Sequence, residues 1–134
     1  MNIQTLFFLL AIYQLKHWLA DYRFQTAYML RKGAGGFDWI LPLTAHASVH
    51  AFLTLLIVAG AAVGRILAGS SYPLLWVALP FFDFLIHFVV DRIKAAPSLG
   101  GRWQPSQPQF WRALGADQMA HHLTHYTIIF LLVN

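Results

Sequence analysis

The sequence contains no cysteine, which excludes a disulfide framework and any thiolate metal site. It also contains no glutamate, so its five acidic side chains are all aspartates. Charge is scarce: 10% of the residues are Asp, Lys or Arg, against about 25% in a typical soluble domain. The N-terminal stretch lacks the basic region and small-residue cleavage site of a secretory signal. It runs directly into Lys16-His17-Trp18-Leu19-Ala20-Asp21 and is expected to be a retained first transmembrane helix.

What remains is apolar. Hydrophobic residues make up 58% of 134 positions, the balance of an integral membrane protein in one compact bundle. Four apolar segments are expected, at about 3–22, 39–64, 73–93 and 115–133, each near the roughly 20 residues that cross a bilayer. The fold class predicted is therefore all-α, a four-transmembrane-helix bundle forming a single domain over 1–134. Pro42 falls in the first turn of segment two, where a missing N–H is tolerated. Pro80 is expected to kink or loosen segment three. The stretch 94–114, with Pro97, Pro105, Pro108 and Gly100-Gly101, reads as the longest loop.

A net charge of +4 raises the question of nucleic acid. The basic residues are instead distributed as membrane topology would place them, which discounts that partner. Arg23, Arg31, Lys32, Arg92, Lys94, Arg102 and Arg112 belong to the first and third connections. The second connection holds Arg65 alone, and the tails hold none. The positive-inside rule then puts connections one and three in the cytoplasm and both termini outside. The localisation expected is a bacterial inner membrane.

Against this apolar background the His and Asp residues are ordered. Pairs four residues apart occur at 17/21, 46/50, 83/87, 87/91, 117/121 and 121/125. Random placement of twelve such residues would give about one pair. Spacing of four stacks both members on one helix face. Segments one and three end on the cytoplasmic side, and two and four begin there. All the sets therefore fall in one layer, roughly 10–15 Å thick at 1.5 Å per residue. A lone Asp at mid-bilayer costs about 2.5–3.5 kcal/mol. Such groups are expected to face the bundle interior and share a partner.

A divalent metal is the simplest shared partner. Two ligands at i and i+4 can grip one ion from one helix face, and helix bundles build di-metal sites from inward-facing imidazoles and carboxylates. The candidate ligands are His17, Asp21, His46, His50, His87, Asp91, Asp117, His121 and His125. Nine groups suffice for two ions of zinc, manganese or iron, with some carboxylates orienting imidazoles instead of binding. Asp83 lies one turn deeper, as ligand, proton relay or partner of Lys16. His122 points about 100° away from the stripe and is assigned as a neighbour of Gln118. The competing reading of His17–Asp21 and of His87–Asp91 is a plain interfacial hydrogen-bonded pair.

The motifs also resemble a known family. His17-x3-Asp21-x3-Gln25 in the first helix, His46-x3-His50 in the second, His87-x3-Asp91-x2-Lys94 closing the third and Asp117-Gln118-x2-His121 opening the fourth carry the likeness. The pattern is similar to that of small bacterial and phage membrane proteins catalogued as a domain of unknown function. The resemblance covers nearly the whole chain and implies four membrane helices around a polar centre. A looser likeness is to membrane-bound metal-dependent hydrolases.

The expected function is hydrolysis by a metal-activated water at the cytoplasmic membrane face. Asp91 or Asp117 would serve as general base, and Arg92 and Lys94 would draw an anionic lipid or nucleotide-like substrate. No Ser or Cys sits in a nucleophile motif, which favours activated water. The alternatives are a di-iron membrane oxidase or hydroxylase, a metal or proton carrier, and a bis-histidine haem bundle. A homo-oligomer or a partner membrane subunit would complete the site in a further reading.

Overall fold

A computed structural model describes residues 2–63 and 74–133. Among them the chain is all-helical, with four long helices and no strand. Helix α1 is Ile3–Trp18, α2 is Ile40–Val63, α3 is Leu75–Ala95 and α4 is Pro108–Val133. The expected turn at 65–72, with Arg65 and Tyr72, lies outside the described residues, as do Gly64 and Pro73 at the edges of segments two and three.

Each helix carries one inward stripe. On α1 it is Leu9, Tyr13, Lys16, His17 and then Ala20 in the following turn. On α3 it is Leu79, Asp83, His87 and Asp91, one residue per four. On α4 it is Asp117, His121, Thr124, His125, Ile128, Ile129 and Leu132. The spacings of three and four are those that hold a helical face toward a core.

Every stripe has an apolar end and a polar end. Leu9 and Tyr13 of α1, Val58 of α2, Leu79 of α3 and Ile128, Ile129 and Leu132 of α4 form one cluster. These precede the buried polar residues in α1 and α3 but follow them in α2 and α4, so the helices run up and down alternately. The helices pack in a ring, α1 on α2, α2 on α3, α3 on α4 and α4 on α1. Beyond the apolar cluster lies the polar end. Lys16, His17, His46, His50, Thr54, Asp83, His87, Asp91, Asp117, His121, Thr124 and His125 are all buried there.

The outward surface is the reverse. Phe7, Phe8, Phe52, Phe81, Val77 and Phe130 are all more than half exposed. Among the described residues one helix, over Ile40–Ala62 with mean hydropathy 1.7, is long and apolar enough to cross a membrane. Helix α1 falls short at 16 residues, and α3 carries two Asp, an Arg and a Lys within its 21.

Two local features differ from the expectation. First, α1 ends at Trp18 and continues through a π-helical turn, Leu19–Arg23, in which the Phe24 N–H donates to the Leu19 carbonyl. The i→i+5 bond adds a residue to the turn that carries Asp21, and π turns are frequent at functional sites. Second, the third connection is shorter than 94–114. A single 3₁₀ turn, Gly100–Arg102, leads to α4, which begins at Pro108 and not at Gly115. Pro108 is the first helical residue, a position where proline fits because that N–H has no helical partner anyway. Pro80, by contrast, lies where it was expected, inside α3, in its second turn and buried.

Candidate metal centre

Asp21 is the hub of the shallow half of the polar layer. Its Oδ2 lies 3.2 Å from His17 Nε2 on its own helix. Its Oδ1 lies 3.1 Å from His50 Nε2 and 3.4 Å from His46 Nε2, both on α2. The π turn makes this reach across the helix interface. Gln25 holds the turn by donating from Nε2 to the Asp21 carbonyl at 3.0 Å. The His-x3-Asp-x3-Gln spacing thus has a structural meaning at each position.

Asp91 and Asp117 face the same space from α3 and α4. Asp91 Oδ2 accepts from Lys32 Nζ at 2.7 Å and lies 2.9 Å from His46 Nε2. Asp117 Oδ2 accepts from Lys94 Nζ at 2.9 Å and from Gln118 Nε2 at 3.0 Å. Gln118 in turn offers its Oε1 to His17 Nε2 at 3.2 Å. Gln118 therefore serves His17 and Asp117, not His122. The His122 ring stands 5.7 Å from that of His17, at the edge of the cluster and half-buried.

The imidazoles are crowded together. The rings of His87 and His121 are parallel within 3°, with centroids 4.1 Å apart. Those of His50 and His87 are 3.7 Å apart. His17 lies 5.3 Å from His121 and 6.0 Å from His87. Several of their nitrogens are buried with no hydrogen-bond partner: His17 Nδ1, His87 Nε2, and both nitrogens of His121. A buried polar atom without a partner costs about 1–3 kcal/mol. One nitrogen from each of these three rings could therefore serve as a ligand to a shared ion.

Four groups of side chains have ligand atoms mutually within 4.8 Å: His17/His87/His121, His17/Asp21/His50, Asp91/Asp117/His121 and Asp83/His87/His125. A tetrahedral ion with bonds of about 2.1 Å needs edges of roughly 3.4 Å, so a modest contraction would close any of the first three around a metal. The donor set is nitrogen and oxygen only, which suits zinc, manganese or iron.

The deep group differs from the other three. Lys16 Nζ lies 2.6 Å from Asp83 Oδ2, 3.3 Å from His50 Nδ1 and 3.4 Å from His125 Nε2. Thr54 donates to the same Asp83 oxygen at 2.7 Å. An ammonium group therefore fills the place a cation would take. Of the three roles open to Asp83 in the sequence, the structure supports partner of Lys16. His87 Nδ1 is 2.9 Å from the Asp83 carbonyl, so its Nε2 is the nitrogen turned toward the shallow space.

The candidates are thus brought together. His17, His46, His50, His87, Asp91, Asp117, His121 and His125 all line one buried layer, half-buried Asp21 closes it, and Lys94 stands at its rim. Arg92 stands apart from it. Its guanidinium donates to the carbonyls of Lys32 and Ala34 and lies 4.1 Å over the Trp39 ring, so it clamps the first connection onto α3. Lys16, Lys32 and Thr54 belong to the layer without having been singled out by spacing. Lys16 shares the α1 stripe, three residues after Tyr13, which was the available signal.

Searches against family profiles, curated proteins and solved structures return no match for this chain.

Proposed function

We propose that the chain is a membrane metalloprotein whose shallow polar layer holds one or two divalent ions and hydrolyses an anionic substrate at the cytoplasmic face. The observation that carries this reading is the set of partnerless ring nitrogens on His17, His87 and His121, converging from three helices. Charge points the same way. Four carboxylates of the layer face three ammonium groups, an excess of one negative charge that a divalent ion would reverse.

The exposed aromatic exterior around a polar interior supports a membrane setting. In water that arrangement would leave large apolar patches uncovered. In lipid it hides the costly groups and presents the cheap ones. In a four-span arrangement, the basic residues of the first and third connections favour both termini outside.

A bound ion would lower the pKa of a coordinated water to about 7 and polarise a phosphoryl or acyl oxygen. Asp91 and Asp117 are the carboxylates placed to accept its proton. Each is held by a lysine at the mouth and faces the His46 or His121 side of the cluster. The mixed carboxylate and imidazole set also suits a di-iron oxidase. Against a bis-histidine haem stand the ring contacts of 3.7 and 4.1 Å, which leave no slab for a macrocycle. Against a through-path for protons or metal stands the apolar plug of Leu9, Val58, Leu79, Ile128 and Leu132.

The test is metal analysis of protein purified without chelator. One to two equivalents of zinc, manganese or iron support the reading; less than a tenth of an equivalent after incubation with each metal ends it. Iron together with an oxygen-dependent visible spectrum would select the oxidase over the hydrolase.

A further inference from the structure

Two of the layer's carboxylates have a double allegiance. Asp91 Oδ2 and Asp117 Oδ2 are bound by the ammonium groups of Lys32 and Lys94, at 2.7 and 2.9 Å. The same two carboxylates form, with His121, a group whose ligand atoms lie within 4.8 Å of one another. An ion in that group would draw on both carboxylates. It would also repel two ammonium groups standing one bond length beyond them.

Those ammonium groups have somewhere to go. Lys32 and Lys94 line a cleft of about 180 Å³ at the mouth of the layer, walled by Gly100, Gly101, Trp103 and Phe110. Lys94 is already one-third exposed there. Its position is fixed by tight packing below. A Cβ on Gly100 would stand 2.6 Å from the Lys94 carbonyl oxygen. The 3₁₀ turn Gly100–Arg102 therefore lies directly on the end of α3, and the lysine emerges beside it.

We propose that this cleft is a metal-gated anion site: loading an ion onto Asp91, Asp117 and His121 releases Lys32 and Lys94 to bind a phosphoryl anion, free or carried on a lipid headgroup. Without metal the two lysines are neutralised inside the protein, and the cleft offers no net positive charge. With metal the local balance becomes net positive, and an incoming phosphate meets two unpaired ammonium groups beside the ion. This rests on the metal reading above and adds the substrate class and the order of binding, metal before anion. The coupling is reciprocal, so phosphate must tighten the metal by the factor by which metal tightens phosphate.

The experiment compares metal-loaded and chelator-stripped protein in neutral detergent. Binding of radiolabelled inorganic phosphate is measured by equilibrium dialysis, with metal content assayed on the same samples. Loaded protein is expected to bind phosphate at least about tenfold more tightly than stripped protein. The Lys32→Met/Lys94→Met double variant should keep its metal, held as tightly as in the parent or more so because two competing cations are gone. It should lose the phosphate gain, and Lys32→Arg/Lys94→Arg should recover most of it.

A second arm replaces inorganic phosphate by phosphatidic acid diluted into the same detergent. Tighter binding of phosphatidic acid assigns the anion to a lipid, and equal binding assigns it to a soluble phosphate; both support the site. Full metal content with no difference between loaded and stripped protein overturns the gating alone. So does full phosphate binding by the Met variant, which would place the anion on the ion itself. Absence of metal overturns this inference and the metal reading together.

Discussion

The Lys16 ammonium lies 2.6 Å from the Asp83 carboxylate, with 2% and 0% of the two side chains exposed. This is a buried ion pair inside a histidine cluster, on the boundary between the apolar plug and the polar layer. It sets the floor of the candidate metal centre. The Asp83/His87/His125 group has the ligands for an ion but already contains a cation.

Replacing Lys16 by Met should therefore have one of two measurable effects. If no metal is supplied, Asp83 is left as an uncompensated buried charge, which costs about 3–5 kcal/mol. The thermal midpoint in detergent should fall accordingly. If metal is supplied, the vacated position should take up an extra ion, and the metal content should rise by about one equivalent. The Lys16→Met/Asp83→Asn double variant should recover stability and lose the extra ion. A Lys16→Met protein of parental stability and parental metal content would show that Lys16 is not the counter-ion of this layer.

His121 and His122 are adjacent in sequence but unequal in place. His121 is 1% exposed, stacks on His87, and belongs to two of the four possible ligand groups. His122 is half-buried and belongs to none of them. His121→Ala should weaken metal binding by about 100-fold or more, above the 10–100-fold typical of residues that only orient a ligand. His122→Ala should change it by less than about threefold. Competitive titration against a chromogenic chelator measures both, and equal effects would sink the assignment.

Much of this centre was legible in the sequence, because helical spacing of four is a strong signal in apolar segments. Asp117, His121 and His125 fall where that spacing puts them, and so do His46 and His50. Lys16 was harder to read. It stands next to His17 near a helix end, where lysines commonly extend toward the headgroups. An inward Lys16 was one of three readings of Asp83, and the convergence of Asp83, His50 and His125 on its nitrogen selects it. Lys32 sits in a connection among basic residues, and its partner Asp91 is 59 positions away, a distance no local pattern spans. The start of α4 was obscured because Pro108 signals a loop and a helix N-terminus equally well.

Gly101 gives a test of how the mouth is built. A Cβ there would stand 2.3 Å from the Ala95 carbonyl oxygen and 2.8 Å from its carbon. Both are backbone atoms at the end of α3 and cannot rotate away. Gly101→Ala should displace the 3₁₀ turn and cost about 1–3 kcal/mol, as overpacking does. A Gly101 Cβ would meet atoms of Ala95 and Ala96 but none of a candidate metal ligand, so metal content should persist while phosphate affinity falls. Loss of metal with phosphate affinity retained would reverse that order of dependence.

The absence of cysteine makes topology directly testable, since any introduced thiol is the only one. Gln4 and Ser106 are both exposed, one in the first turn of α1 and the other in the connection before α4. The positive-inside rule puts them on opposite sides of the membrane. In intact cells a Gln4→Cys protein should react with a membrane-impermeant maleimide, whereas a Ser106→Cys protein should react only after the membrane is opened. The reverse pattern would move the metal layer, and with it the anion cleft of Lys32 and Lys94, to the outer face. Labelling of both residues in intact cells would remove the four-span arrangement, because residues 4 and 106 can share a side only if a span between them is missing.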